Sequence, residues 1–237
     1  MSHDLRTPMN AIIGYTALME KHWGEKEVTA GYLQKLKEAG NFLMDLIGNI
    51  LEVARIESGK ETLTETAWNL CNLEDTLDLL LDRDIYKKQL TLKKNMELQH
   101  PKVYCDVLKI QEITMNLLSN AVKYTPEGGT IHFTIRELPY EREGYALFQT
   151  VVEDTGIGIS KEYIPHLFEA FSREKSSSES GIIGTGLGLR IVKKVVDLME
   201  GSIVVESEIG EGTRFTVTIP HRIATANEYI SEENAKE

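Results

Sequence analysis

Apolar residues first recur at helical spacing and later alternate singly, so two structural regimes share one chain. Leu5, Ile12, Ile13 and Met19 fall on one face of an amphipathic helix predicted over residues 4 to 21. Pro8 sits in its first turns, where proline is tolerated but would kink a helix extended further back. Trp23-Gly24-Glu25-Lys26 interrupts the pattern as a turn. Beyond it Leu33, Leu36, Gly40, Leu43, Ile47, Ile50 and Ala54 alternate spacings of three and four, a heptad seam on a second helix.

Ser58-Gly59-Lys60-Glu61 breaks that helix and opens a short linker to about Thr66. Helices are then expected over residues 72 to 88, around Leu73, Leu77, Leu80 and Leu81, and over 106 to 125, closed by Pro126-Glu127-Gly128-Gly129. Ile131, Phe133 and Ile135 alternate as a strand, Tyr145 to Glu153 forms another, and Phe215, Val217 and Ile219 a third. The expected fold class is α+β, a helical hairpin followed by a sheet with helices on one face. Two helices cannot bury both apolar faces alone, so the hairpin is expected to pair with a second copy as a dimeric four-helix bundle.

Composition narrows the partners. The chain has 237 residues, 41% hydrophobic, enough for a real core. Its 37 acidic against 26 basic residues, net charge −11, argue against a nucleic-acid footprint. Cys71 and Cys105 lack CxxC spacing and are expected as buried packing residues. No apolar run approaches the roughly 18 residues of a membrane span and no signal peptide is recognisable, so a cytoplasmic fragment without membrane contact is expected, any longer parent's membrane attachment left open. Ser172 to Ser180 and the acidic stretch 223–237 are expected to be flexible.

Four motifs carry chemistry. They are Ser2-His3-Asp4-Leu5-Arg6-Thr7-Pro8, then Asn116-Leu117-Leu118-Ser119-Asn120-Ala121-Val122-Lys123-Tyr124-Thr125, then Asp154-Thr155-Gly156-Ile157-Gly158, and Gly184-Thr185-Gly186-Leu187-Gly188-Leu189. In this order they resemble the sensor histidine kinases of two-component signalling, over roughly residues 1 to 220. The resemblance implies a dimerisation and histidine-phosphoacceptor hairpin at 1–60, a linker at 61–66, an ATP-binding α/β sandwich of the Bergerat type at 67–222, and a tail at 223–237. It implies ATP and Mg²⁺ as cofactors, a homodimer, and a response regulator's receiver domain as partner.

Asn116 and Asn120 lie one helical turn apart with Lys123 and Tyr124 following, so all four fall near one helix face. Amide oxygens can complete a Mg²⁺ shell filled mostly by phosphate and water, and a lysine offsets phosphate charge. By resemblance Asn120 binds Mg²⁺, Asn116 supports the metal, and Lys123 and Tyr124 contact nucleotide. A plain solvated face has the same spacing. Asp154 is an acceptor only, so it suits adenine's exocyclic amine and repels guanine's O6. Gly156 and Gly158 permit close backbone approach to base and sugar. Gly184, Gly186 and Gly188 follow a serine-rich loop rather than a strand, so a dinucleotide fingerprint is excluded, and no Walker A motif is present. Instead a helix beginning near Leu187, with Thr185 before it, offers N–H groups to phosphates. Residues 172–186 would then form a lid, with Phe168 and Phe171 at its base by resemblance or as plain core aromatics. Thr213 matches a family position near adenine.

Free imidazole titrates at about 6.5, so a neutral fraction of His3 exists at pH 7 with a lone pair for attack. Asp4 can orient the ring or take its proton. Thr7 lies one turn beyond His3, where relatives position a water that hydrolyses a regulator's aspartyl phosphate; a phosphatase activity is implied. Two other readings compete. One is an ATPase of the gyrase, mismatch-repair or chaperone type, which carries an acidic residue where this chain has Asn116. The other is a catalytically silent scaffold.

Overall fold

The computed structural model describes the backbone of residues 2–59, 61–172 and 184–225, with side chains from Asp4 onward. Residues 173–180 of the expected flexible stretch, most of the expected lid and the tail beyond Thr225 lie outside the described residues. The chain divides into two compact units: Met1–Lys60 with Phe168–Ile191, and Glu61–Leu167 with Val192–Glu237. Each is described by itself.

In the first unit, α1 (Ser2–Lys21) and α2 (Lys26–Glu57) form a hairpin joined at Gly24, whose φ of 108° is open to glycine but costly for other residues. Pro8 lies inside α1. Having no N–H, Pro8 donates no helical hydrogen bond to the turn before it. The expected seam on α2 splits into two faces. Leu36, Leu43 and Ile50 are half-buried and Leu46 is fully buried, whereas Leu33, Met44, Ile47 and Leu51 are exposed. Met44 (69%), Leu51 (60%) and Ile13 of α1 (63%) are apolar side chains that the hairpin of one chain leaves exposed.

In the second unit the described strands form one mixed sheet in the order β1-β3-β7-β5-β4-β2, with β6 also on β7. They are β1 (Thr66–Asn69), β2 (Thr91–Glu97), β3 (Lys102–Cys105), β4 (Thr130–Leu138), β5 (Tyr145–Asp154), β6 (Ser202–Glu208) and β7 (Gly212–Ile223). β2 pairs with β4 in parallel; the other pairings are antiparallel. The alternation expected at β4, β5 and β7 is seen in Ile131, Phe133 and Ile135, in Ala146 and Phe148, and in Phe215, Val217 and Ile219, all buried. Against them lie Leu73, Leu77 and Leu81 of α3 (Leu73–Lys87) and Ile113, Leu117, Leu118 and Ala121 of α4 (Val107–Tyr124). Leu117 is 0% exposed, so truncation to alanine costs about 2–5 kcal/mol. The helix expected near Leu187 is α5 (Gly188–Leu198), which contributes Val192, Val195 and Val196 to this core.

One expectation is corrected. Cys71 is exposed, because it sits in the short turn Leu70–Asn72 rather than on a packed face; Cys105, on β3, is buried. The stretch expected as a linker is tied down. Thr64 donates its N–H to Asp106 Oδ2 at 2.9 Å, and Glu61 pairs with Lys109 at 3.4 Å. Asp106 Oδ1 meanwhile accepts the Lys109 N–H at 3.2 Å as the N-cap of α4, so one buried carboxylate serves both segments.

Candidate functional site

α4 is amphipathic, and its apolar stripe turns the opposite edge outward. Asn116, Asn120, Lys123 and Tyr124 therefore all stand half-buried on the helix or its last turn. Asn116 Nδ2 donates to the Glu112 carbonyl at 2.9 Å, which leaves the amide oxygen as the group available to a metal or its waters. The Lys123 ammonium lies 5.1 Å from the Tyr124 ring centroid. This donor set, neutral amide oxygens beside a cation, suits Mg²⁺ carried by a polyphosphate rather than a bare protein-bound ion. No group of three or more His, Cys, Asp or Glu able to hold a metal occurs among the described residues.

β5 ends on Asp154, beside the end of α4. The carboxylate accepts the Gly156 N–H at 2.8 Å and also the Thr213 backbone N–H from β7, its register partner. Burial pushes the Asp154 carboxyl up to about 6, with the two backbone donors pulling the other way. Two accepted bonds leave lone pairs for an exocyclic amine. The loop after Asp154 is stitched to α4 and to the start of β4: Ile157 donates to the Tyr124 carbonyl at 3.2 Å, and Thr155 to the Thr130 carbonyl at 3.1 Å.

The glycines of this loop are required by the protein itself. A Cβ on Gly156 would meet the Tyr124 carbonyl at 2.8 Å, and one on Gly158 (φ 71°) would strike the Glu208 carbonyl. Close approach here is backbone to backbone, whatever a ligand adds. Thr213 is buried, its hydroxyl 2.9 Å from Ser207 Oγ. Ser207 also accepts the Ile159 N–H at 2.8 Å and donates to the Gly212 carbonyl at 2.7 Å. Sequence reasoning passed over Ser207, since a serine in a strand carries no signal of a long-range bridge. Asp106 was legible in principle as an N-cap before an apolar stripe.

Asn116, Asn120, Lys123, Tyr124, Asp154, Gly156, Gly158 and Thr213 thus belong to the second unit, whereas His3, Asp4, Thr7, Phe168, Phe171 and Gly184 to Gly188 belong to the first. Asp4 is half-buried and Thr7 exposed on α1; His3 lies in the first turn of that helix. Phe168 and Phe171 are half-buried, and Phe171 has a φ of 61°, rare for a non-glycine residue. The Phe171 N–H donates to the Gly186 carbonyl at 3.0 Å, and Gly186 (φ 67°) has no room for a side chain against Phe171 and Ser172. Thr185 Oγ1 accepts the Leu187 N–H at 3.3 Å and the Asn49 amide at 3.1 Å, and Leu187 is buried. Among the described residues no helix is long and apolar enough to cross a membrane.

Comparison with known proteins agrees in both units. Residues 1–59 match the family model of the His Kinase A (phospho-acceptor) domain, and residues 105–223 that of the histidine kinase-, DNA gyrase B-, and HSP90-like ATPase. The chain is 37% identical over 224 residues to the sensor protein GacS of Pseudomonas syringae pv. syringae, covering 92% of this chain and 24% of that protein. It is 32% identical to the autoinducer 2 sensor kinase/phosphatase LuxQ of Vibrio parahaemolyticus, covering 93% and 26%. It therefore spans about a quarter of the length of these curated relatives. Among solved structures, full-length ShkA in complex with AMPPNP matches at a TM-score of 0.70 and 26% identity, over 95% of this chain and 45% of that one. Histidine kinase ThkA in complex with response regulator protein TrrA matches at 0.69 and 25%, over 92% and 59%. The chain belongs to the sensor histidine kinases.

Proposed function

We propose that this chain is an ATP-dependent protein-histidine kinase that phosphorylates His3 and passes the phosphoryl group to an aspartate of a response regulator. The observation that carries the nucleotide half is the buried Asp154 carboxylate, held by Gly156 and Thr213 beside the end of α4. An acceptor so placed selects adenine over guanine. The phosphoacceptor half rests on the match of residues 1–59 to the phospho-acceptor family model.

In the reaction an unprotonated His3 ring nitrogen attacks the γ-phosphorus. An N–P bond forms, the bond from the γ-phosphorus to the bridging oxygen breaks, and ADP leaves. Asp4 steadies the ring and takes up the positive charge or proton that develops on it. Lys123 and the N–H groups at the start of α5, near Gly186 to Gly188, offset phosphate charge. Asn120, with Asn116 supporting, would hold Mg²⁺, which would supply charge neutralisation to the phosphates. Tyr124, Gly158 and Thr213 shape the nucleoside end, and Phe168, Phe171, Gly184 and Thr185 take part in nucleotide binding. The domains are then a phosphoacceptor hairpin at 1–60, a connection at 61–66 and a catalytic domain at 67–222. In the regulator-directed reverse role, Thr7 orients the water that hydrolyses aspartyl phosphate; LuxQ is itself named a kinase/phosphatase.

The exposed face formed by Ile13, Met44 and Leu51 is the surface on which two copies pair as a homodimer, and the site of action is the cytoplasm. The test is incubation of the purified chain with γ-labelled ATP and Mg²⁺. Acid-labile, base-stable label that moves onto a regulator's receiver domain is expected. ATP turnover without labelled protein would point instead to a hydrolytic relative.

A further inference from the structure

Four successive carbonyls close α4, and each has a fixed donor. Ile157 takes that of Tyr124 at 3.2 Å. A single side chain takes the other three: Lys88 Nζ donates to the carbonyls of Val122 at 2.7 Å, Lys123 at 2.9 Å and Thr125 at 2.9 Å. An ammonium has three protons, so its donor capacity is fully used. The last carbonyls of a helix have no intrahelical partner and carry the negative end of its dipole, so a cation here satisfies both at once.

Lys88 is itself fixed by its backbone. It caps the end of α3, donating its N–H to the Asp84 carbonyl at 3.2 Å, and its carbonyl accepts the Gly128 N–H at 3.0 Å. Gln89, with a φ of 53°, then turns the chain into β2. The ammonium thus joins the end of α3 to the segment that carries Lys123 and Tyr124.

We propose that Lys88 is a positioning residue of the nucleotide site: it touches no ligand but sets the backbone from which Lys123 and Tyr124 project. This rests on the reading of α4 as nucleotide-binding. Without the ammonium, three carbonyls at the helix end lose their donor, and the last turn unwinds or swings toward water.

The test is titration of the full chain with TNP-ATP in the presence of Mg²⁺. Lys88→Met is expected to raise Kd about tenfold, the effect of losing one charge-assisted anchor. Lys94→Met, which removes an ion pair to Asp78 between α3 and β2, controls for nonspecific damage and is expected to leave Kd unchanged. The decisive arm is rescue: Lys88→Cys in a Cys71→Ser background, alkylated with 2-bromoethylamine, regains an ammonium at nearly the same reach and is expected to recover wild-type affinity. Equal affinity in wild type and Lys88→Met, equal losses in both lysine variants, or failure of the restored ammonium to recover binding overturns the proposal. Absence of TNP-ATP binding by the wild-type chain would instead sink the nucleotide-site reading beneath it.

Discussion

Asp154 and Thr213 are register partners across β5 and β7, and the Thr213 backbone N–H donates to the Asp154 carboxylate. The pairing fixes an ionisable acceptor at the end of a buried strand. Burial raises that carboxyl to about 6, so it is ionised above that pH and protonated below it. Adenine recognition by the charged acceptor should therefore weaken as pH falls through about 6, by up to tenfold per unit. Phosphate groups of the ligand also titrate in this range. The readout is thus the difference between wild type and Asp154→Asn: Kd for ATP should diverge in pH dependence only below about 6. Parallel curves would remove Asp154 from the site.

His221 on β7 is 3% exposed and donates to the Tyr104 carbonyl, and burial lowers its pKa to about 4. Between 6.5 and about 4 the unfolded chain takes up a proton that the native state refuses, so this residue makes stability fall as pH falls across that window. The full effect is on the order of 3 kcal/mol. Asp154 acts oppositely, since its native pKa is raised and it favours the native state as pH falls from about 6 to 3.8. Urea unfolding of His221→Gln and wild type should therefore converge on acidification, by the loss of the wild-type advantage. A pH-independent difference would contradict this.

The two cysteines should react very differently. Cys71 is exposed, whereas burial first, then Asp106 and Glu65, push the Cys105 thiol up to about 12. Native protein should yield one fast-reacting thiol toward Ellman's reagent, lost in Cys71→Ser, with the second appearing only on unfolding. Two fast thiols would mean that β3 is open.

Thr7→Ala should still accept phosphate from ATP but dephosphorylate a phosphorylated regulator at least roughly tenfold more slowly, the usual scale for losing one water-orienting group. The check is decay of labelled regulator mixed with either protein. Equal decay rates would leave Thr7 as a solvated residue.

The helices and central strands were readable because their periodicity reports directly on burial: α4 reads as Ile113, Leu117 and Ala121 at one-turn spacing, and β4 as Ile131, Phe133 and Ile135. The strands β1, β2, β3 and β6 were not anticipated. β2 (TLKKNME) and β6 (SIVVESE) each alternate exposed with only half-buried positions, so sheet pairing rather than an apolar stripe defines them. The candidate site residues were named from residue chemistry at short spacing. Its supports did not, because Lys88 and Ser207 act on backbone atoms brought near by the fold: Lys88 reaches residues 34 to 37 positions away. Cys71 was misjudged since the average habit of cysteine outweighed its place in a turn.

On the proposed reading, phosphoryl capture by His3 and nucleotide capture around Asp154 are distinct tasks of distinct residues, and one paired measurement separates them. TNP-ATP affinity and acid-labile incorporation from γ-labelled ATP should be determined side by side for wild type, His3→Gln and Asp154→Ala. His3→Gln should bind nucleotide like wild type and take up no label; Asp154→Ala should lose affinity, yet its His3 should still be phosphorylated chemically by phosphoramidate. Label persisting in His3→Gln, or undiminished affinity in Asp154→Ala, would contradict the assignment of acceptor and nucleotide pocket to these two residues.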